Sequence, residues 1–255
     1  MDRALSHVRV ASLVVRFVLR PVRPAGWWFD AVLVAGFVAV TVLLAARSPL
    51  LDVDLAVRDF VDAHRPGWAD TTLRWFNRLG QGGQVLTPLA ALTAFFLTRR
   101  RHTVRPFLLV IGAFALTYVT IGPLKLWTDR LAASEATDPH PEYIFHAVNG
   151  MSYPSGHVVN AIVWYGVLAA LLTGVFRPGV VLAIRYAAPL ILLFTTTYLS
   201  FHWLSDGLAA ILLGVFLDRV LQRTPWDAIP LGRLARSGWA APFFDPATTA
   251  RRLRA

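Results

Sequence analysis

The chain has 255 residues, of which 56% are hydrophobic and only 16% charged, with a mean hydropathy of +0.52 and a net charge of +10. Soluble domains carry about 25% charged residues, so this balance points to a membrane protein. There is no cysteine, which excludes disulfides and every cysteine-based metal or redox site. Lys125 is the one lysine, and the other basic residues are arginines gathered at the ends of apolar runs. That placement fits membrane topology and not a nucleic-acid face, so no nucleic-acid partner is expected.

The expected fold is all-α: a polytopic bundle of six transmembrane helices with short interfacial helices. Residues 1–26 form a basic segment whose apolar stretch is broken by Arg9, Arg16 and Arg20, unlike a secretory signal. Those arginines share one helical stripe. Residues 4–20 therefore read either as an amphipathic helix on the inner leaflet or as a basic tail without fixed structure. A span needs about 20 mostly apolar residues. Six segments qualify at about 28–46, 83–98, 105–127, 157–176, 179–200 and 203–220, the second and sixth being short or interrupted. Between the first two, residues 52–79 read as interfacial helices broken at Pro66-Gly67, with Trp68 and Trp75 at headgroup depth. Arg185 falls inside the fifth span, and its position fits both a functional intramembrane charge and a side chain snorkelling to the near interface. The segments are thus 1–26, a membrane domain over 27–220, and a basic tail over 221–255.

Orientation follows from the arginines. They crowd the N-terminal segment, the connection holding Arg99, Arg100, Arg101 and Arg105, the tight Arg177-Pro178-Gly179 turn, and the tail. The alternate connections are poorer in basic residues or offset by acidic ones. The positive-inside rule then puts both termini in the cytoplasm of a multi-pass cell-membrane protein, and an even number of spans agrees.

Chemistry-bearing residues collect on the opposite, extracytoplasmic side. In Pro154-Ser155-Gly156-His157, Ser155 suits a helix N-cap and Gly156 admits a ligand to the backbone. The free amides of a helix start are a ready phosphate site, and His157 projects from the first turn. A capped helix with an interfacial histidine is the plainer reading of that tetrapeptide alone. His202 and Asp206 are four apart, so on a helix the carboxylate can accept from one ring nitrogen and leave the other free to attack. Lys125 ends the third span, where a snorkelling lysine is the plainer reading. His64, His140 and His146 lie in loops without ligand spacing and are not expected to bind metal.

On these residues the chain resembles the type 2 phosphatidic acid phosphatase superfamily, in its membrane lipid phosphatase branch, over about residues 50–220. The family motifs are Lys-x6-Arg-Pro, Pro-Ser-Gly-His and Ser-Arg-x5-His-x3-Asp. The second is complete at 154–157. The first matches at Lys125, with its Arg-Pro falling on Ala132-Ala133. The third matches at His202 and Asp206, with its Ser-Arg falling on Thr195-Thr196. The resemblance implies His202 as nucleophile, Asp206 as its orienting partner and His157 as acid. It also implies phosphate binding by Lys125, Ser155 and Gly156, with no metal and no cofactor. Two phosphate-binding arginines are missing, and Arg130 is the nearest replacement in sequence, expected to hold phosphate with its guanidinium fork, the plainer reading being an ion pair with Asp129 or Glu135 in solvent. The implied substrate is a lipid phosphate or diphosphate, such as a prenyl phosphate, phosphatidic acid or phosphatidylglycerol phosphate, drawn from the surrounding membrane lipids. Two other functions fit the same residues: a lipid phosphotransferase using the same phosphohistidine, and a degenerate member that binds lipid phosphate without turnover.

Overall fold

A computed structural model describes residues 24, 26–101, 103–146, 149–226 and 228–231. The reading of residues 4–20 as a helix or tail, and that of the tail beyond residue 231, lie outside the described residues. The described residues contain eight α-helices and no β-strand. In chain order these are α1 (Trp28–Ala45), α2 (Leu50–His64), α3 (Gly67–Asn77), α4 (Thr87–Arg101), α5 (Arg105–Thr128), α6 (Gly156–Leu172), α7 (Pro178–Tyr198) and α8 (Leu204–Arg223).

Helices α1, α5 and α7 are long and apolar enough to cross a membrane. Their apolar surface is mostly not covered by protein: only 17% of the most apolar window of α7 is buried, and 28% in α1 and α5. Val34, Val38 and Val42 of α1, Phe114 and Tyr118 of α5, and Leu182, Leu190 and Phe194 of α7 are all exposed. In water such faces would drive aggregation, and a hydrocarbon solvent removes that penalty.

The interior is built around α6, which packs against α4, α5, α7 and α8. Val158, Val159, Val163, Trp164 and Leu171 of α6 are buried, and most of this helix faces protein. It is also shorter than the expected 157–176, ending at Leu172 with a turn before Pro178. The expected second span, 83–98, starts as a π-helical turn at Gly82–Leu86 and continues as α4, with a 3₁₀ turn at Arg78–Gly80 just before it. The expected break at Pro66-Gly67 separates α2 from α3, since Pro66 sets the extended backbone that lets a new helix start at Gly67.

Helix α8 is too charged to count as an apolar span, and its charges are paired inward. Arg185 of α7 pairs with Asp218, which also accepts from Gln222. Arg219 and Arg223 pair with Asp30 at the start of α1. Arg185 is thus a link between two helices, a role the sequence pattern did not suggest.

Candidate active site

The site forms where α5 ends, α6 begins, and the α7–α8 connection turns. Asp129 closes α5 in the left-handed conformation, its amide donating to Lys125 O at 3.1 Å. The chain then folds back on itself. Ser152 N donates to Arg130 O at 2.8 Å, and Phe145 N to Thr128 O at 2.6 Å. Gly150 is needed for this return, because a Cβ there would meet the Asp129 and Arg130 backbone at 2.5 Å. The fold-back carries Ser152 and the start of α6 over the α7–α8 connection, where Ser155 N donates to Asp206 O at 3.2 Å.

His202 and Asp206 are brought together, though not along a helix. His202 lies in the connection before α8, and Asp206 is in the first turn, where its carboxylate accepts from Trp203 N at 3.1 Å. His202 Nδ1 is 3.4 Å from Asp206 Oδ2. Ser152 completes the arrangement: its hydroxyl donates to Asp206 Oδ2 at 2.5 Å and accepts from His202 Nδ1 at 3.1 Å. Two acceptors on Nδ1 assign the proton there and leave Nε2 with its lone pair. Thr196 O accepts from His202 N at 3.3 Å and fixes the backbone of the histidine. Burial pushes the His202 imidazole below its ordinary value; Asp206 opposes that shift and Lys125 adds to it.

His157 faces His202, with ring centres 5.9 Å apart and planes at 64°. Asn77, at the end of α3, places its amide nitrogen 3.4 Å from His157 Nε2. Lys125 reaches across to the start of α6: a Cβ on Gly156 would lie 3.2 Å from Lys125 Cε, so glycine is what leaves room for the lysine arm. The ammonium donates to Met151 O. Ser155 occupies the N-cap position of α6 as expected, yet its hydroxyl makes no capping bond. Ser155 Oγ is buried and has no hydrogen-bond partner among the described residues. Beside it, the amides of Gly156, His157 and Val158 have no carbonyl within α6 to bond to. Lysine, hydroxyl and amides therefore converge beside two imidazoles. This is a set of donors for a charged, tetrahedral oxyanion group.

Arg130 is placed differently from the expected phosphate ligand. It is fully buried, and all three guanidinium nitrogens are used. Nε donates to Glu142 O at 2.8 Å, Nη1 to Asp206 Oδ1 at 2.6 Å and Ser205 Oγ at 2.8 Å, and Nη2 to Asp54 Oδ2 at 2.7 Å. Asp206 is therefore held from one side by Arg130 and faces His202 and Ser152 on the other. The side chain is drawn in because the left-handed turn at Asp129 points it at two buried carboxylates, which would be costly without a cation. Burial raises the Asp54 carboxyl above its ordinary value, against the pull of Arg130 and the two Ser205 donors. At the two positions where the resemblance expects arginine, Ala132 brings no donor and Thr196 turns its hydroxyl back to Leu192 O at 2.7 Å.

Asn77, Ser152, Ser205 and Asp54 were not singled out in the sequence. Asp54 and Asn77 belong to the polar helices α2 and α3, where charged and amide residues are unremarkable, and no spacing ties them to the histidines. A cavity of about 220 Å³ opens beside the site, lined by Gly82, Thr117, Ile121, Gly122, Asn160 and Trp164 among others. Asn160 lies one turn below His157 on α6, and Gly122 one turn before Lys125 on α5. Among the described residues no three histidine, aspartate or glutamate side chains converge as a metal-ligand set.

Residues 106–230 match the family model described as the PAP2 superfamily. In structure the chain is similar to a transmembrane PAP2-type phosphatidylglycerolphosphate phosphatase from Bacillus subtilis, with a TM-score of 0.65 at 20% identity, covering 80% of this chain and 100% of that one. At that identity the likeness speaks for the fold. No curated protein matches the chain in sequence.

Proposed function

We propose that this chain, which belongs to the PAP2 superfamily, is a membrane phosphatase that removes phosphate from a lipid phosphate or diphosphate through a phosphohistidine. The observation that carries the reading is the pair of facing imidazoles, one with Nδ1 held by Ser152 and Asp206, next to unused donors at the start of α6. In the first step His202 Nε2 forms a bond to phosphorus while the bond from phosphorus to the lipid oxygen breaks. His157 gives its proton to that departing oxygen. In the second step His157 takes a proton from water, the water oxygen bonds to phosphorus, and the P–N bond breaks to return His202. Lys125, Ser155 Oγ and the α6 amides hold the phosphoryl oxygens through both steps. The 220 Å³ cavity, reaching α5 and α6 one turn below Lys125 and His157, takes the first part of the hydrocarbon chain.

The bundle is read as six spans: α1, the stretch from Gly82 through α4, and α5 to α8. Both termini are then cytoplasmic and the histidines extracytoplasmic. A cysteine replacing Glu135 in this cysteine-free chain should react with an impermeant thiol reagent in intact cells, and one replacing Arg100 should not. The reverse labelling would put the site in the cytoplasm.

The function is tested by phosphate release from phosphatidic acid, phosphatidylglycerol phosphate and prenyl phosphates in mixed micelles, with and without acceptor alcohols. Release from at least one of these is expected, with none from His202→Ala. A phosphorylated alcohol in place of free phosphate would make the protein a phosphotransferase. Binding without either product would make it a non-catalytic lipid-phosphate binder.

A further inference from the structure

Asp54 stands apart from every motif of the site and reaches it through Arg130 and Ser205. It lies on α2, outside the residues matched by the family model, and its side chain is fully buried. Oδ1 accepts from Ser205 N at 2.9 Å; Oδ2 accepts from Ser205 Oγ at 2.5 Å and from Arg130 Nη2 at 2.7 Å. Ser205 N is one of the amides at the start of α8 that no carbonyl of the helix can satisfy. Asp54 therefore anchors the first turn of α8 from outside, while Asp206 anchors it from within through Trp203 N. Trp203 is buried over Arg130, its ring centre 5.2 Å from the guanidinium carbon, and donates to Leu131 O at 2.9 Å.

Charge decides what this arrangement does. Arg130 and Asp206 alone would make a neutral pair. An imidazole beside a neutral pair gains little support for positive charge, because the guanidinium at 2.6 Å offsets the carboxylate it needs. Asp54 accepts from Ser205 N, Ser205 Oγ and Arg130 Nη2, three donors that hold it as a carboxylate against the pull of burial, so the trio of Asp54, Arg130 and Asp206 carries one net negative charge. The groups facing His202 are Asp206 from α8, His157 from α6 and Lys125 from α5. Two of these are cationic or become so during turnover, and among the described residues Asp206 is the carboxylate paired with the ring.

We propose that Asp54 is a positioning residue for the reaction: by sharing Arg130, it leaves Asp206 with the negative charge that supports the attacking His202, and it locks the α8 turn that aims them. The inference rests on the phosphohistidine reading above. Its effect belongs to kcat, since Asp54 touches neither the phosphate donors nor the cavity.

The test compares Asp54→Asn, which keeps the shape and an acceptor for Ser205 N, with Asp54→Glu, which keeps the charge. Both are measured per folded protein after size exclusion in detergent, with phosphatidic acid as substrate, beside wild type and His202→Ala. Asp54→Asn is expected to lower kcat about 10-fold or more with KM within about twofold. The acidic limb of its kcat/KM profile should move to lower pH, because an imidazole that loses negative support binds its proton less well. Asp54→Glu should recover most of kcat. An Asp54→Asn protein with wild-type kcat and an unmoved limb would overturn the inference. So would an Asp54→Asn chain that fails to fold while Asp54→Glu folds, which would assign the carboxylate to folding alone. If His202→Ala keeps full turnover, the phosphohistidine reading itself fails, whatever Asp54 does.

Discussion

Helix α8 carries carboxylates and arginine partners near both ends, and the two ends use similar charges differently. At the far end Asp218 is paired with Arg185 and Gln222, and Asp30 with Arg219 and Arg223. At the near end Asp206 is shared between Arg130, Ser152, Trp203 N and His202. Beside it stand Lys125, His157 and a buried hydroxyl without a partner. Buried ion pairs hold helices together in both places. What marks the near end as the proposed reactive one is the presence of titratable rings and of a donor left without a partner among the described residues.

That contrast can be broken most sharply by substitution at each end. His202→Ala should lower kcat by about 10⁴-fold or more, and Asp206→Asn should leave more activity than His202→Ala because the nucleophile survives misoriented. Asp218→Asn should leave kcat within about twofold while lowering the thermal midpoint in detergent, breaking a pair of order 3 kcal/mol. A dead but stable Asp218→Asn protein would erase the distinction between the two ends.

His157→Ala should cost about 10²-fold or more with a lipid phosphate, and less with an aryl phosphate whose leaving oxygen needs no proton. Equal losses on both substrates would remove His157 from the acid role. Ser155→Ala should lower kcat/KM about 10-fold with no loss of thermal stability, because Ser155 Oγ has no hydrogen-bond partner among the described residues. A destabilised but fully active Ser155→Ala protein would make the hydroxyl structural.

The smallest effect is in pH. In the proposed reaction His202 attacks only when neutral, and its burial lowers its proton affinity below the ordinary 6.5. It therefore stays neutral to more acid pH, and activity is lost only as pH falls through the lowered value. After correction for the substrate's own ionisation, the acidic limb of kcat/KM should lie below pH 6.5. A limb above that would mean Asp206 outweighs burial.

Much of the fold was legible because a membrane imposes simple rules on a chain. Long apolar runs, arginines at their ends and the break at Pro66 come directly from residue chemistry along the sequence, and so do the helix start at Gly156 and the motif residues His157, His202 and Asp206. Lys125 stood out as the one lysine among arginines. The sequence could not place Arg130, since its role depends on a left-handed turn at Asp129 and on two carboxylates 76 residues away in either direction. Nor could it assign Arg185, whose partner Asp218 lies on another helix. Ser152 and Asp54 carry no signal of their own, as a serine in a loop and an aspartate on a polar helix are ordinary. Periodicity and composition act between near neighbours and so fixed helices, their apolar faces and the side of the membrane expected for each loop. The sharing of one guanidinium between two buried carboxylates is a contact across the bundle, and only packing decides it.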